Sequence, residues 1–186
     1  MDEAFLDGIR RIVVRGNLWV LRTPDGQLYD DIDTDMIFHN RYLHITDVEE
    51  MGQYALDNLK GWETFSQKVQ PGDIVMAGKN FGAGSSRQQA VDCFRALGVG
   101  AIVAESYGAI YKRNAINSGF PIVVFPDLTE KVVEFKTGDE VEIGFESGEL
   151  VLNGKQAYQV EPFSKVQMDI YQAGDLFTYG KLLDEN

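Results

Sequence analysis

The sequence has little of what most metal and redox sites need: one cysteine, Cys93, and two histidines, His39 and His44, in 186 residues. One thiol excludes an intramolecular disulfide. It also excludes a zinc or iron–sulfur site built from this chain's cysteines alone. Cys93 lies in the apolar stretch AVDCFRAL, where it reads as a core thiol. The histidine spacing matches no common metal pair, and both read as loop residues. Basic residues are scarce too: 17 Lys and Arg face 29 Asp and Glu, for a formal net charge of -12. Nucleic-acid binders gather positive charge against phosphates, so this balance argues against that class. Any anion site must therefore be local, built on an arginine or a helix N-terminus. No apolar run reaches the ~18 residues that a membrane span requires. The opening MDEAFLDGIRRIVV is acidic and lacks a signal-peptide core. These features predict a soluble, cytoplasmic protein, and the length suits a single domain over residues 1–186, or one core with a small appendage.

Hydrophobic residues make up 44% of the chain, enough for a sizeable core. Ile12 to Leu21 reads as a strand running into the turn Thr23-Pro24-Asp25-Gly26. A helix is expected from Thr46 to Lys60-Gly61, opened by Thr46 with Glu49, or by Asp47 with Glu50, as a capping box. Val48, Met51 and Ala55 fall on one face of that helix. Beyond it, three short apolar runs read as buried strands: Asp73 to Ala77, Ala101 to Ala104 and Pro121 to Phe125. Between them lie helical stretches, about Ser86 to Leu97 and Tyr107 to Asn117. Strands alternating with helices predict parallel β-α-β units. Val141 to Phe145, Glu149 to Leu152 and Gln156 to Val160 are separated by Ser147-Gly148 and Asn153-Gly154, which are hairpin turns. This region should be antiparallel, with an amphipathic helix, Phe163 to Ala173, closing at Gly174. The fold class is thus α/β, with a β-hairpin region near the C-terminus.

The segment richest in chemistry is Gly78 to Ala90, GKNFGAGSSRQQA, a glycine-rich turn between a strand and a helix. Glycines let backbone approach a ligand closely, and a helix N-terminus presents free amides to an anion. Arg87 can grip a carboxylate through two parallel hydrogen bonds, which lysine cannot do. The segment is not a phosphate-binding Walker loop, because no Gly-Lys-Ser/Thr follows. Arg87 occupies the third glycine position of a dinucleotide fingerprint, which therefore fails. A purely structural role also fits: Ser85 with Gln88, or Ser86 with Gln89, could form a capping box. Asp31, Asp33 and Asp35 imitate the start of a calcium loop, but Met36 and Tyr42 stand where glycine and glutamate are needed.

The same segment resembles the active-site loop of the swivelling domain in the aconitase superfamily, whose pattern is N-[FY]-G-x-G-S-S-R-E-H-A. Asp31-Ile32-Asp33-Thr34-Asp35 and Arg41-Tyr42-Leu43 are similar to that family's IDTD and RYL blocks in order and spacing. Arg113-Asn114-Ala115-Ile116-Asn117 resembles the form found in isopropylmalate dehydratase small subunits. The resemblance runs from about Leu18 to Leu176.

The resemblance implies a swivelling β/β/α domain acting as the small subunit of an iron–sulfur hydro-lyase. Ser85 matches the family's catalytic base. Ser86 and Arg87 match its substrate-binding pair, and Asp35 matches an active-site aspartate. His44 and Ile45, after Tyr42-Leu43, stand where the family lines the pocket for the substrate's variable group. A [4Fe–4S] cluster is expected on a large-subunit partner and none on this chain. Isopropylmalate in leucine biosynthesis is the first substrate expected. Homoaconitase-type acids, methylated malates such as dimethylmalate or citramalate, and a non-catalytic anion-binding or regulatory subunit remain alternatives. The chain departs from the pattern where Gln88 and Gln89 replace glutamate and histidine, and where His39-Asn40 replaces Pro-Ala.

Overall fold

The computed structural model describes residues 5, 6 and 9–184. The reading of the N-terminal stretch thus falls partly outside the described residues. A small antiparallel ladder joins β1 (Phe5–Leu6) to β2 (Ile9–Arg10). The main element is a seven-stranded sheet of β3 (Val13–Val20), β4 (Ile74–Ala77), β5 (Ala101–Ala104), β6 (Ile122–Val124), β7 (Glu140–Gly144), β8 (Glu149–Leu152) and β9 (Gln156–Gln159), in the order β6-β5-β4-β3-β7-β8-β9.

β3 is the hinge of this sheet. Its first half, Val13 to Asn17, pairs antiparallel with β7, and its last three residues, Leu18 to Val20, pair parallel with β4. A parallel half (β3 to β6) and an antiparallel half (β3, β7 to β9) therefore share one strand. Asp73, buried at the start of β4, holds this junction: it accepts hydrogen bonds from Trp19 Nε1 (2.8 Å), the Gln70 amide (2.9 Å) and Asn17 Nδ2 (3.3 Å). A carboxylate is tolerated there because these donors satisfy it.

β4 and β5 are buried throughout, which is why they read as unbroken apolar runs. Alternate residues feed two cores. Val75, Ala77, Ile102 and Ala104 face one, with Phe38, Phe81, Phe94 and Tyr111; Ile74, Met76, Ala101 and Val103 face the other, with Phe125, Phe135 and Ile143. Helices α3 (Gln89–Ala96) and α4 (Ala109–Asn117) are the crossovers β4-α3-β5 and β5-α4-β6, and both bury side chains in the first core. The hairpin between β8 and β9 turns at Asn153 (φ 50) and Gly154 (φ 65), the pair of left-handed residues that a tight hairpin needs.

Several expected boundaries move. The long helix from Thr46 is only α2 (Val48–Met51), capped by Asp47, which accepts from the Glu49 amide at 3.0 Å; a 3-10 turn, Gly52–Tyr54, follows it. Leu56, at φ 61, breaks the path and sends its amide to Ile37 O at 2.9 Å. Packing against the segment before it outweighs helical periodicity there. The helix expected from Ser86 starts at Gln89. The closing helix is α6 (Lys165–Ala173), capped by Ser164 and stopped at Gly174 (φ 105), with a further helix α7 (Leu176–Asp184) after it. Two further short α-helices are α1 (Thr34–Ile37) and α5 (Leu128–Lys131), and 3-10 turns span Asn40–Tyr42, Phe65–Gln67 and Val132–Glu134.

Candidate active site

The site lies beyond the C-terminal ends of β4 and β5, where open parallel sheets bind ligands. The chain leaving β4 does not turn at once into α3. It runs on between two neighbours and prolongs the parallel pairing. On one side Phe81 donates to Ser106 O (3.0 Å) and Gly108 donates to Phe81 O (2.9 Å). On the other, Gly82 donates to Ile32 O (2.7 Å) and Thr34 donates to Ala83 O (2.9 Å). Buried Phe81 anchors the segment in the first core. Gly82 has φ 77, and a Cβ there would lie 2.2 Å from Tyr111 Cγ, so no other residue fits without displacement. The loops carrying Asp35, Ser85 and Tyr107 are thus clamped side by side.

Neither predicted capping box forms. The residue before α3 is Gln88, in helical conformation, with no side chain capping the helix. The two serines are therefore not consumed by capping. Ser85 is exposed and its hydroxyl has no partner among the described residues. Ser86 Oγ accepts a hydrogen bond from Asn114 Nδ2 at 3.1 Å.

Arg87 is largely buried, with its side chain 14% exposed. One amino group, Nη1, donates to Asp35 Oδ1 (2.7 Å) and to Phe38 O (2.9 Å). Nη2 and Nε have no partner among the described residues, so one edge of the guanidinium keeps its donors unused. Asp35 rides on α1, whose start is fixed by Asp33 Oδ1 accepting from the Asp35 (2.9 Å) and Met36 (2.8 Å) amides. The other two aspartates are also engaged: Asp31 accepts from Asn80 Nδ2 (2.8 Å), while Asp33 caps α1. Asp35 also accepts from the Asn40 amide (3.0 Å). The Arg87 hydrogen bond holds its carboxyl below the usual carboxylate range, against an opposing push from burial. His39 Nδ1 accepts from the Arg41 amide (3.1 Å), which places the neutral ring's proton on Nε2, 3.9 Å from Asp35 Oδ2.

Of the sequence-predicted site residues, Asp35 and Arg87 meet directly, and Ser85 and Ser86 directly precede Arg87 in the same loop. His44 is exposed and near its own turn, with Nδ1 3.0 Å from Arg41 O; it makes no bond to that cluster. Ile45 is buried in the first core rather than presented at the surface. Sequence reasoning gave no role to Asn114 or to the His39 ring beside Asp35. Asn114 stood within a quoted block, yet nothing in its local pattern pointed to Ser86.

Cys93 is buried on α3, and burial pushes its thiol well above the usual range, so it is a poor ligand as well as a lone one. No group of three or more His, Cys, Asp or Glu among the described residues fits a metal ion. No described helix is long and apolar enough to cross a membrane.

A serine pair, an arginine and an aspartate are thus gathered beyond the C-terminal ends of the parallel strands of a mixed sheet. The chain belongs to the aconitase C-terminal domain family, whose model matches residues 30–127 and so spans Asp35, the serine loop and α4. It is 41% identical over 152 residues to the 3-isopropylmalate dehydratase small subunit of Sulfurisphaera tokodaii, covering 82% of this chain and 88% of that one. It is 36% identical over 172 residues to the isopropylmalate/citramalate isomerase small subunit of Methanocaldococcus jannaschii, covering 92% and 95%. The crystal structure of 3-isopropylmalate dehydratase (leuD) from the latter organism superposes with a TM-score of 0.81 at 33% identity, over 93% of this chain and 96% of that one. The family and the mixed parallel and antiparallel fold expected from the sequence are both borne out.

Proposed function

We propose that this chain is the cytoplasmic small subunit of a two-subunit hydro-lyase that interconverts 2- and 3-isopropylmalate, acting as a single swivelling domain. The observation that carries the reading is the Arg87–Asp35 pair at 2.7 Å, two residues along the loop from exposed Ser85, whose hydroxyl has no partner among the described residues. Asp35 and Phe38 O hold one end of the guanidinium, and the Nε–Nη2 edge takes a substrate carboxylate through two hydrogen bonds. Ser86 donates to the same anion. Ser85 removes the proton from the carbon next to that carboxylate. The C–H pair becomes the C=C bond, the hydroxyl on the neighbouring carbon leaves with its C–O pair as hydroxide, and that hydroxide and the proton taken up by Ser85 together make the water lost; rehydration with the opposite regiochemistry gives the isomer. A serine hydroxyl is a weak acid and must be ionised before it can act as a base, so Arg87 and the amides before α3 stabilise the Ser85 alkoxide, whose negative charge passes to the substrate as it takes the proton.

The donor set of this chain does not fit an iron–sulfur cluster, since its only cysteine is buried in a helix. In this proposal a large subunit brings the cluster, which supplies Lewis-acid chemistry. The name of the Methanocaldococcus relative favours citramalate as a second substrate, a smaller acid of the same class. Anaerobic affinity purification of the tagged chain from its host tests the reading. A brown complex with a larger protein that isomerises 2-isopropylmalate supports it; a colourless lone chain, or a complex inert towards both acids, overturns it.

A further inference from the structure

Ser86 is one end of a chain of hydrogen bonds that leads away from the site. Asn114 Nδ2, on α4, donates to Ser86 Oγ at 3.1 Å. The Asn114 carbonyl accepts from Ser118 Oγ at 2.7 Å, and Ser118 Oγ accepts from Gln88 Nε2 at 2.7 Å. Gln88 Nε2 also lies 3.2 Å from Asp92 Oδ1, one turn along α3. An amide nitrogen can only donate. While Asn114 occupies the acceptor side of Ser86, the Ser86 proton is forced to point elsewhere, and Ser86 itself is exposed at the open edge of the site.

We infer that Asn114 is a positioning residue that fixes Ser86 as a hydrogen-bond donor to the substrate carboxylate, with Gln88 holding the C-terminal turn of α4 in place through Ser118. The inference rests on the functional reading above. It also accounts for Gln88 standing where the family pattern has glutamate. Asp92 is buried and four residues on, so a glutamate here would set two carboxylates against each other. A neutral amide donates to both Asp92 and Ser118 without that cost. The network from α3 to α4 is thereby uncharged except at Asp92, which pairs with Arg95 at 3.2 Å.

The test compares Ser86→Ala, Asn114→Ala, the double variant and Asn114→Asp in the complex with the large subunit, with 2-isopropylmalate as substrate. Losing one hydrogen bond to a charged group should raise KM ~10-fold or more in each alanine variant, with the larger effect on KM than on kcat. Because both residues act through one hydroxyl, the double variant should be no worse than Ser86→Ala alone. Asn114→Asp keeps the side-chain volume but accepts the Ser86 proton when ionised. Its KM should be raised at neutral pH and recover as the pH falls towards the carboxyl's own range. A wild-type KM in Asn114→Ala or in Asn114→Asp at neutral pH overturns the inference, as do effects of the two alanine variants that multiply. A wild-type complex that turns over no 2-isopropylmalate removes the functional reading and this inference with it, whereas an active complex with silent Asn114 variants removes only the inference.

Discussion

Arg87 Nη1 and Asp35 Oδ1 are 2.7 Å apart although 52 residues separate them in sequence, and this contact joins the aspartate-rich segment to the serine loop. The guanidinium is held at one end, so its other edge is presented in a fixed plane. Arg87→Lys keeps the charge but loses that plane. KM for the substrate should rise ~10–100-fold, the cost of one charge-assisted hydrogen bond. Steady-state kinetics on the reconstituted complex check this, and an unchanged KM would show that Arg87 does not hold the carboxylate.

The same pair sets an acid limit. Arg87 lowers the folded-state pKa of Asp35, so its contribution is complete above the ordinary carboxylate pKa, near ~4, and is lost as pH falls through the lower folded value. Asp35 is more than a third exposed, so the stability effect is small. Its sign is still testable. In Asp35→Asn the drop in thermal midpoint between pH 5 and pH 3 should be smaller than in the wild type, as melts across that range would report. An equal drop would show that the pair is not coupled to folding.

Gly82→Ala should be costly although alanine is small. The position has φ 77, and the new methyl would meet Tyr111 at 2.2 Å. Left-handed strain and overpacking together amount to about 2–5 kcal/mol. Chemical denaturation would measure this, and a loss below about 1 kcal/mol would mean that the loop is not clamped as described.

Cys93 should resist alkylation in the native state, since burial both shields the thiol and pushes it up, away from the reactive thiolate. Mass spectrometry after iodoacetamide treatment at neutral pH should show no adduct on the folded chain and full labelling in denaturant. Rapid native labelling would place Cys93 outside the core.

His44 is exposed beside the Asn40–Tyr42 turn, at the position where the resemblance expects the substrate's variable group. His44→Arg should shift kcat/KM about tenfold towards substrates with an additional carboxylate, relative to isopropylmalate. A substrate panel reads this directly, and an unchanged profile removes His44 from substrate selection.

Much of the fold was legible because its signals are local. β4 and β5 are short apolar runs bounded by Gly72, Gly78 and Gly100, and Asn153-Gly154 marks a hairpin within two residues. The helix from Thr46 was misread because Leu56 takes a left-handed conformation to reach Ile37, a tertiary contact that no periodicity encodes. Helix α7 escaped notice since Gly180 interrupts its pattern and none of its residues is buried. The site divides in the same way. Ser85, Ser86 and Arg87 are contiguous and were found as a block, with Asp35 found through a second block. The contact between Asn114 and Ser86 joins residues 28 apart on different elements, and Ile45 was expected near substrate yet packs in the core.

The central claim is that Ser85 is the base of a hydro-lyase, and one measurement bears on it most directly: the isomerisation rate of anaerobically reconstituted complex carrying Ser85→Ala, compared with wild type. The account predicts an intact complex whose kcat falls ~10²–10⁴-fold, the usual loss when a general base is removed. An intact complex with kcat within a few-fold of wild type would contradict it.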